Sequence, residues 1–257
     1  MRQAAVPMPR LDFNCDLGEG CGSDAAIVPL ISSASIACGG HAGDAATMRE
    51  AVVLCLQRGV AIGAHPSFED RANLGRRELT LSPTEIHALV ARQVAALASV
   101  CVTLGTHLRH VKPHGALYNL AARDRVIADA IALAIRAIDP SLILYGLSGS
   151  CLTDAGSAAG LHVAHEVFAE RTYDADGRLV PRGAPGAVID DLDASLSQVR
   201  TLLRDGVVIA RDGTRVPLRA DTLCLHGDRT DAAEFALALR TALEEAGVTI
   251  RAPETNQ

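Results

Sequence analysis

Short apolar runs alternate with helical stretches along the whole chain, and a cluster of polar or charged residues follows almost every apolar run. Arg10–Cys15, Ser33–Cys38, Val60–Ala64, Leu108–Val111, Leu142–Leu147, Leu161–Ala164 and Thr222–Leu225 read as strands. Helices are expected over Asp44–Arg58, Ser82–Leu104, Arg123–Ile138, Cys151–Ala159, Asp190–Arg204 and Asp231–Ala246. Asp44 suits an N-cap, and Ser82-Pro83-Thr84-Glu85 is a capping box with proline at the first helical position. Asp212-Gly213 marks a hairpin between Val207–Ala210 and Thr214–Pro217, and Asp174–Gly177 marks another hairpin tip. Val248–Arg251 reads as a closing strand. Strands and helices in this rhythm make parallel β-α-β units. Seven or eight of them fit an α/β fold, an irregular TIM-like (β/α) barrel with one domain over residues 1–257. A doubly wound open sheet is the alternative.

The polar clusters share a phase. After the first strand come Asn14, Asp16 and Glu19; after the second, His41 and Asp44; after the third, His65. Lys112 and His114 follow the fourth, Glu166, Glu170 and Arg171 a later one, and His226 and Asp228 the last. In a barrel these ends open on one face, where barrel enzymes keep their active sites. Each residue also has a plainer reading. Asp16 and Glu19 are then loop acids, Asp44 only a cap, and His65 the filler of a strand end. His87, His107, His110, His162 and His165 read as surface or packing residues.

Among the 24 Lys and Arg residues only one, Lys112, is a lysine. A chain that uses arginine for every other cation keeps a compact ammonium here, and the two groups differ in shape, hydration and acidity. Lys112 suits oxyanion stabilisation, or a base role if its pKa falls far enough. His41, His65, His114 and His226 with Asp16 or Asp44 would suit Zn²⁺ or Mn²⁺. Metal-free acid–base chemistry among carboxylate, imidazole and ammonium is the other reading.

Composition narrows the classes further. A net charge of −6 argues against a general nucleic-acid grip. Aromatics at 3% with no Trp give neither a base-stacking platform nor a membrane belt. No run is expected to reach the roughly 20 apolar residues of a membrane span, and Met1–Arg10 lacks the apolar stretch of a secretory signal. Seven scattered cysteines without a Cys-x-x-Cys pair suggest reduced thiols in the cytoplasm. Gly18, Gly20 and Gly22 do not form Gly-x-Gly-x-x-Gly, and the lone lysine precedes proline, so a P-loop is excluded.

Asp12-Phe13-Asn14-Cys15-Asp16-Leu17-Gly18-Glu19-Gly20 resembles the opening signature of the LamB/YcsF family. Ala37–Asp44, Gly63–Ser67, Val111-Lys112-Pro113-His114-Gly115-Ala116-Leu117-Tyr118, Glu166–Arg171 with Tyr173, and Leu225–Asp228 continue the resemblance in order, over about residues 11 to 250. It implies an irregular barrel of the glycoside hydrolase/deacetylase type. It also implies hydrolysis of the lactam 5-oxoproline to L-glutamate, with ATP as co-substrate and 5-oxoprolinase subunits B and C as partners. On that basis Asp16 or Glu19 with His41 is expected to move protons, and Lys112 and Arg171 to bind anionic groups. Asn14, His65, His114, Tyr118, Glu166, His226 and Asp228 are expected to complete the pocket. A metal-dependent deacetylase or amidohydrolase acting alone, and a non-catalytic scaffold protein of the complex, are the competing functions.

Overall fold

Strand β1 (Arg10–Leu17) is buried along its length after Arg10, yet polar and apolar residues alternate in it. Successive strand side chains point to opposite faces of a sheet. Leu11, Phe13, Cys15 and Leu17 face a hydrophobic core, whereas Asp12, Asn14 and Asp16 bond residues of other strands across a closed interior. The computed structural model describes residues 10–254, so the segment before Arg10, expected to carry no signal, lies outside the described residues.

The elements follow as α1 (Asp24–Ile27), β2 (Ser33–Ala37), α2 (Ala45–Arg58), β3 (Ala61–His65), α3 (Pro83–Thr103), β4 (His110–Val111), α4 (Gly115–Arg123), α5 (Arg125–Ile138) and β5 (Ile143–Leu147). Then come α6 (Cys151–Ala158), β6 (His162–Phe168), α7 (Leu192–Asp205), β7 (Val207–Ile209), β8 (Arg215–Pro217), β9 (Thr222–Leu225), α8 (Ala232–Glu245) and β10 (Thr249–Ile250). Strands β1, β2, β3, β4, β5, β6 and β9 pair in that order, all parallel, and β9 returns to β1. The ring is closed, which rules out the open-sheet alternative. β10 pairs with the start of β1 outside the ring, so closure falls to β9 and not to Val248–Arg251. β7 and β8 form the hairpin that Asp212-Gly213 signals.

The main core lies between the ring and its helices. Ile143, Tyr145 and Ala164 form a small separate apolar cluster, beside the polar side chains of Asp12, Asn14, Ser33, Ser35 and His110 within the ring. α3 corrects the membrane reading by length and composition, since it has 21 residues and 18 consecutive ones among them reach a mean hydropathy of 1.5. Here its apolar stripe, including Ile86, Val90, Val94 and Leu97, is buried in the core and packs toward α5 and β3. Two helices were not anticipated, the short α1 and α4: α4 begins inside the Lys112 motif, and Asp124 caps α5 with its carboxylate on the Val126 and Ile127 amides.

Candidate active site

The carboxyl ends of the ring strands open into a cavity of about 710 Å³ lined in part by Asp16, Glu19, His65, Lys112, His114, Glu166 and His226. Lys112 is the centre of its floor. The Nζ lies 2.6 Å from Asp16 Oδ1 and 3.0 Å from Glu166 Oε1, and it donates to Asn14 Oδ1 at 2.9 Å. Cys224 Sγ is 3.3 Å away. Burial alone would lower the pKa of this ammonium, but the facing charges of Asp16 and Glu166 help outweigh it, and it stands well above the ordinary lysine value. The base role considered for Lys112 is therefore corrected: it is a fixed cation. Asp16 is the reciprocal case. Burial opposes its ionisation, yet His65 and Lys112 hold its carboxyl well below the usual range.

Asn14 does not line the cavity. Its Nδ2 donates to Glu166 Oε1 and Thr222 Oγ1 at 3.1 and 2.6 Å, so it holds the floor from beneath rather than touching a ligand. Below it, Asp12 accepts from Ser32, Ser33, Tyr145 and Thr222. This layer was missed, although the alternation Asp12, Asn14, Asp16 within an otherwise apolar strand is its signal.

On one side of Lys112 sits a histidine group. His41 Nε2 is 2.8 Å from Glu19 Oε1, His65 Nε2 is 2.9 Å from His114 Nδ1, and His65 Nε2 is 3.2 Å from Asp16 Oδ2. The His41 and His114 rings stack at 3.7 Å. Burial lowers the pKa of both, well below the ordinary value for His114, where His65 adds to the effect. The turn that carries His114 requires Gly115. Its φ is 56°, and a Cβ there would stand 2.7 Å from the Gly75 carbonyl oxygen, which accepts the Ala116 amide.

On the other side, the His226 ring nitrogen Nδ1 and its backbone amide both reach Glu170 Oε1, at 2.6 and 2.9 Å. With Nδ1 tied, Nε2 is free toward the cavity. Tyr118 and Glu166 Oε2 are buried there, and among the described residues neither the Tyr118 hydroxyl nor Glu166 Oε2 has a hydrogen-bond partner. Burial and the Glu166 charge push the Tyr118 phenol well above its usual pKa.

Three further expectations change in the structure. The Asp44 carboxylate caps α2, accepting from the Ala46 and Thr47 amides at 2.9 Å, and does not join the histidines; Glu19 does. Arg171 lines the cavity, but its Nε and Nη2 donate to the Ala187 and Val180 carbonyls, so it anchors the Glu170–Ala187 excursion rather than offering a free fork. Burial, and then Arg182, lower its pKa to about 10. Asp228 is held between Arg76 and Arg182, at 3.0 and 2.9 Å. Those two rim arginines were not anticipated and carry no motif of their own. Asp16, Glu19, His41, His65, Lys112, His114, Glu166 and His226 are brought together.

The LamB/YcsF family model matches residues 11–257. A relative from Chloroflexus aggregans, named as the A subunit of 5-oxoprolinase, is 54% identical over 251 residues, covering 96% of this chain and 100% of its own length. One of the same name from Bordetella pertussis is 52% identical over 249 residues, covering 95% of this chain and 99% of its own. The crystal structure of a lactam utilization protein from Thermus thermophilus superposes with a TM-score of 0.88 at 46% identity, over 95% of this chain and 100% of that one. A putative cellobiose-phosphate cleavage protein from Enterococcus faecalis shares the fold alone, at 13% identity, 95% and 97% coverage and a TM-score of 0.57.

Proposed function

Because the chain belongs to the LamB/YcsF family, we propose that it is the lactam-opening component of an ATP-dependent 5-oxoprolinase, a cyclic amide hydrolase in which it works with subunits B and C. The observation that carries this reading is the cavity floor, where an ammonium is fixed between two buried carboxylates and a carboxylate-oriented histidine stands beside it.

A five-membered lactam keeps its amide resonance and little strain, so water alone opens it slowly. Transfer of a phosphoryl group from ATP to the amide oxygen makes the ring carbon electrophilic. Water adds to that carbon, and the ring C–N bond breaks with its electron pair going to nitrogen. The resulting acyl phosphate is hydrolysed to L-glutamate and phosphate. His226, with Nδ1 engaged by Glu170, takes the proton from water at Nε2 and returns one to the departing nitrogen. Lys112 supplies a preorganised positive charge that faces the phosphorylated amide oxygen and the negative charge of its phosphoryl group. Asn14 and Asp16 fix the Lys112 ammonium, and Arg76 and Arg182 attract the anionic groups of the substrate at the rim.

With no P-loop in the sequence, phosphorylation falls to a partner and ring opening to this chain. Glutamate release from 5-oxoproline and ATP is expected only when the chain is combined with subunits B and C. Tight, stoichiometric ATP binding by this chain alone would refute the division of labour. Full turnover by a complex carrying both Lys112→Ala and Asp16→Asn would refute the catalytic reading and leave a scaffold.

A further inference from the structure

Glu19, His41 and His114 follow β1, β2 and β4 and His65 ends β3, yet each offers one donor atom within 4.8 Å of the others. The outer ring nitrogens explain what the inner ones must be. His65 Nδ1 is 2.7 Å from the Lys112 carbonyl oxygen, and His114 Nε2 is 3.0 Å from that of Leu74. A carbonyl only accepts, so both nitrogens carry the proton. His41 Nδ1 is 2.9 Å from Ser67 Oγ, whose own proton goes to the Phe68 carbonyl, so this nitrogen donates as well. In their neutral form the three imidazoles would therefore turn their lone pairs inward, beside the Glu19 carboxylate oxygen. Four electron-rich atoms so close repel one another unless a cation lies among them.

The local charge points the same way. The buried floor holds the carboxylates of Asp16 and Glu166, with Glu19 at its edge, against the single ammonium of Lys112. A divalent ion would offset the excess. Histidine ligands whose second nitrogen is tied to a carbonyl or hydroxyl are the usual second layer of a metal centre. The Leu74 anchor is itself strained: Leu74 is the one non-glycine with positive φ, 52°, among the described residues. Glu19 and His114 line both the main cavity and a neighbouring one of about 260 Å³, so the group is open to ligand.

We propose that Glu19, His41, His65 and His114 form a binding site for a single divalent transition metal ion, with the nitrogen-rich donor set favouring Zn²⁺ over Mg²⁺ or Ca²⁺. The assignment does not depend on the lactam reading.

The test uses the full chain alone, without substrate or partners. The protein is stripped with a chelator and equilibrated with buffered free Zn²⁺ or Mn²⁺. Bound metal is counted by mass spectrometry and the fold is checked by circular dichroism. About one equivalent of Zn²⁺ per chain is expected. His41→Gln and His114→Gln should abolish retention, and Asp44→Ala, outside the set, should keep it. Ser67→Ala removes the anchor of His41 but no proposed ligand, and should weaken affinity roughly 10–100-fold. Zn²⁺ and Mn²⁺ both absent after equilibration, or unchanged retention in a folded His41→Gln/His114→Gln double variant, would overturn the site. If the glutamine variants do not fold, Co²⁺ in the unaltered chain decides. Intense visible bands of a nitrogen-ligated ion of low coordination number support the site, and the weak spectrum of the hydrated ion overturns it. Metal counting on the chain alone reads neither ATP binding nor glutamate release, so the two readings fail separately.

Discussion

Lys112 carries the residue-scale argument. Its ammonium meets Asp16, Asn14 and Glu166 at 2.6, 2.9 and 3.0 Å, and it is 2% exposed. Removing it leaves two buried carboxylates without their cation, a loss of about 3–5 kcal/mol of stability. Lys112→Ala is therefore expected to lower the urea midpoint strongly and to cut glutamate release by the assembled complex by about 10²–10³-fold. Lys112→Arg should not rescue turnover, because a planar fork does not fit acceptors arranged around a point charge. Urea titration and steady-state turnover of both variants check this, and near-normal turnover with arginine would contradict it. Lys112 was conspicuous in the sequence because no other lysine competes with it. Asn14 was visible as polar but not as a support, since only the closed ring shows that its amide is taken up by Lys112, Glu166 and Thr222. His226 was visible, but its orientation by Glu170 depends on β6 and β9 being neighbours.

At the scale of elements, a cap and a loop tie separate fold from function. Asp44 accepts from the Ala46 and Thr47 amides and completes a capping box with Thr47. Asp44→Ala is expected to lower the melting temperature by about 2–4 °C while turnover of the complex stays unchanged; a turnover loss would return Asp44 to the site. Asp228 does a different job. It bridges Arg76, beyond β3, to Arg182, beyond β6, and so joins distant loops over the cavity. Partly exposed ion pairs contribute about 0.2–1 kcal/mol each. Asp228→Asn is therefore expected to raise the KM for 5-oxoproline by at most about tenfold, with kcat nearly constant, in the assembled complex. A selective fall in kcat would place Asp228 in the chemistry instead. Strand and helix order was legible because capping and hairpin signals are local, as at Ser82-Pro83-Thr84-Glu85 and Asp212-Gly213. α4 was not. Its first residues spell a glycine-containing motif, and what starts the helix there is the Gly75 carbonyl accepting the Ala116 amide, a contact across about 40 residues of chain.

For the molecule as a whole, a ring with a polar interior has to keep that interior paired, and acid is what disturbs it. His110 lies inside the ring, stacked on Tyr145 at 4.1 Å, with Nε2 3.3 Å from Ser35 Oγ and Nδ1 without a partner among the described residues. Gly63 on β3 makes room for it, since a Cβ there would fall 2.1 Å from the imidazole. Burial first, then the charges of Lys112 and His65, lower its pKa from 6.5 to about 3. Between those values the unfolded chain takes up a proton that the folded chain refuses. The His110 contribution is thus complete above pH 6.5 and is lost progressively as pH falls toward 3. The slope is about 1.4 kcal/mol per pH unit. His110→Gln keeps a polar group of similar reach and removes the titration. It is expected to be less stable than the natural chain at neutral pH, yet to lose roughly 2–3 kcal/mol less between about pH 6.5 and 4.5. Urea unfolding of both proteins at those pH values measures the difference. Equal acid losses would mean that the imidazole is protonated inside the ring and that another buried group governs the acid response.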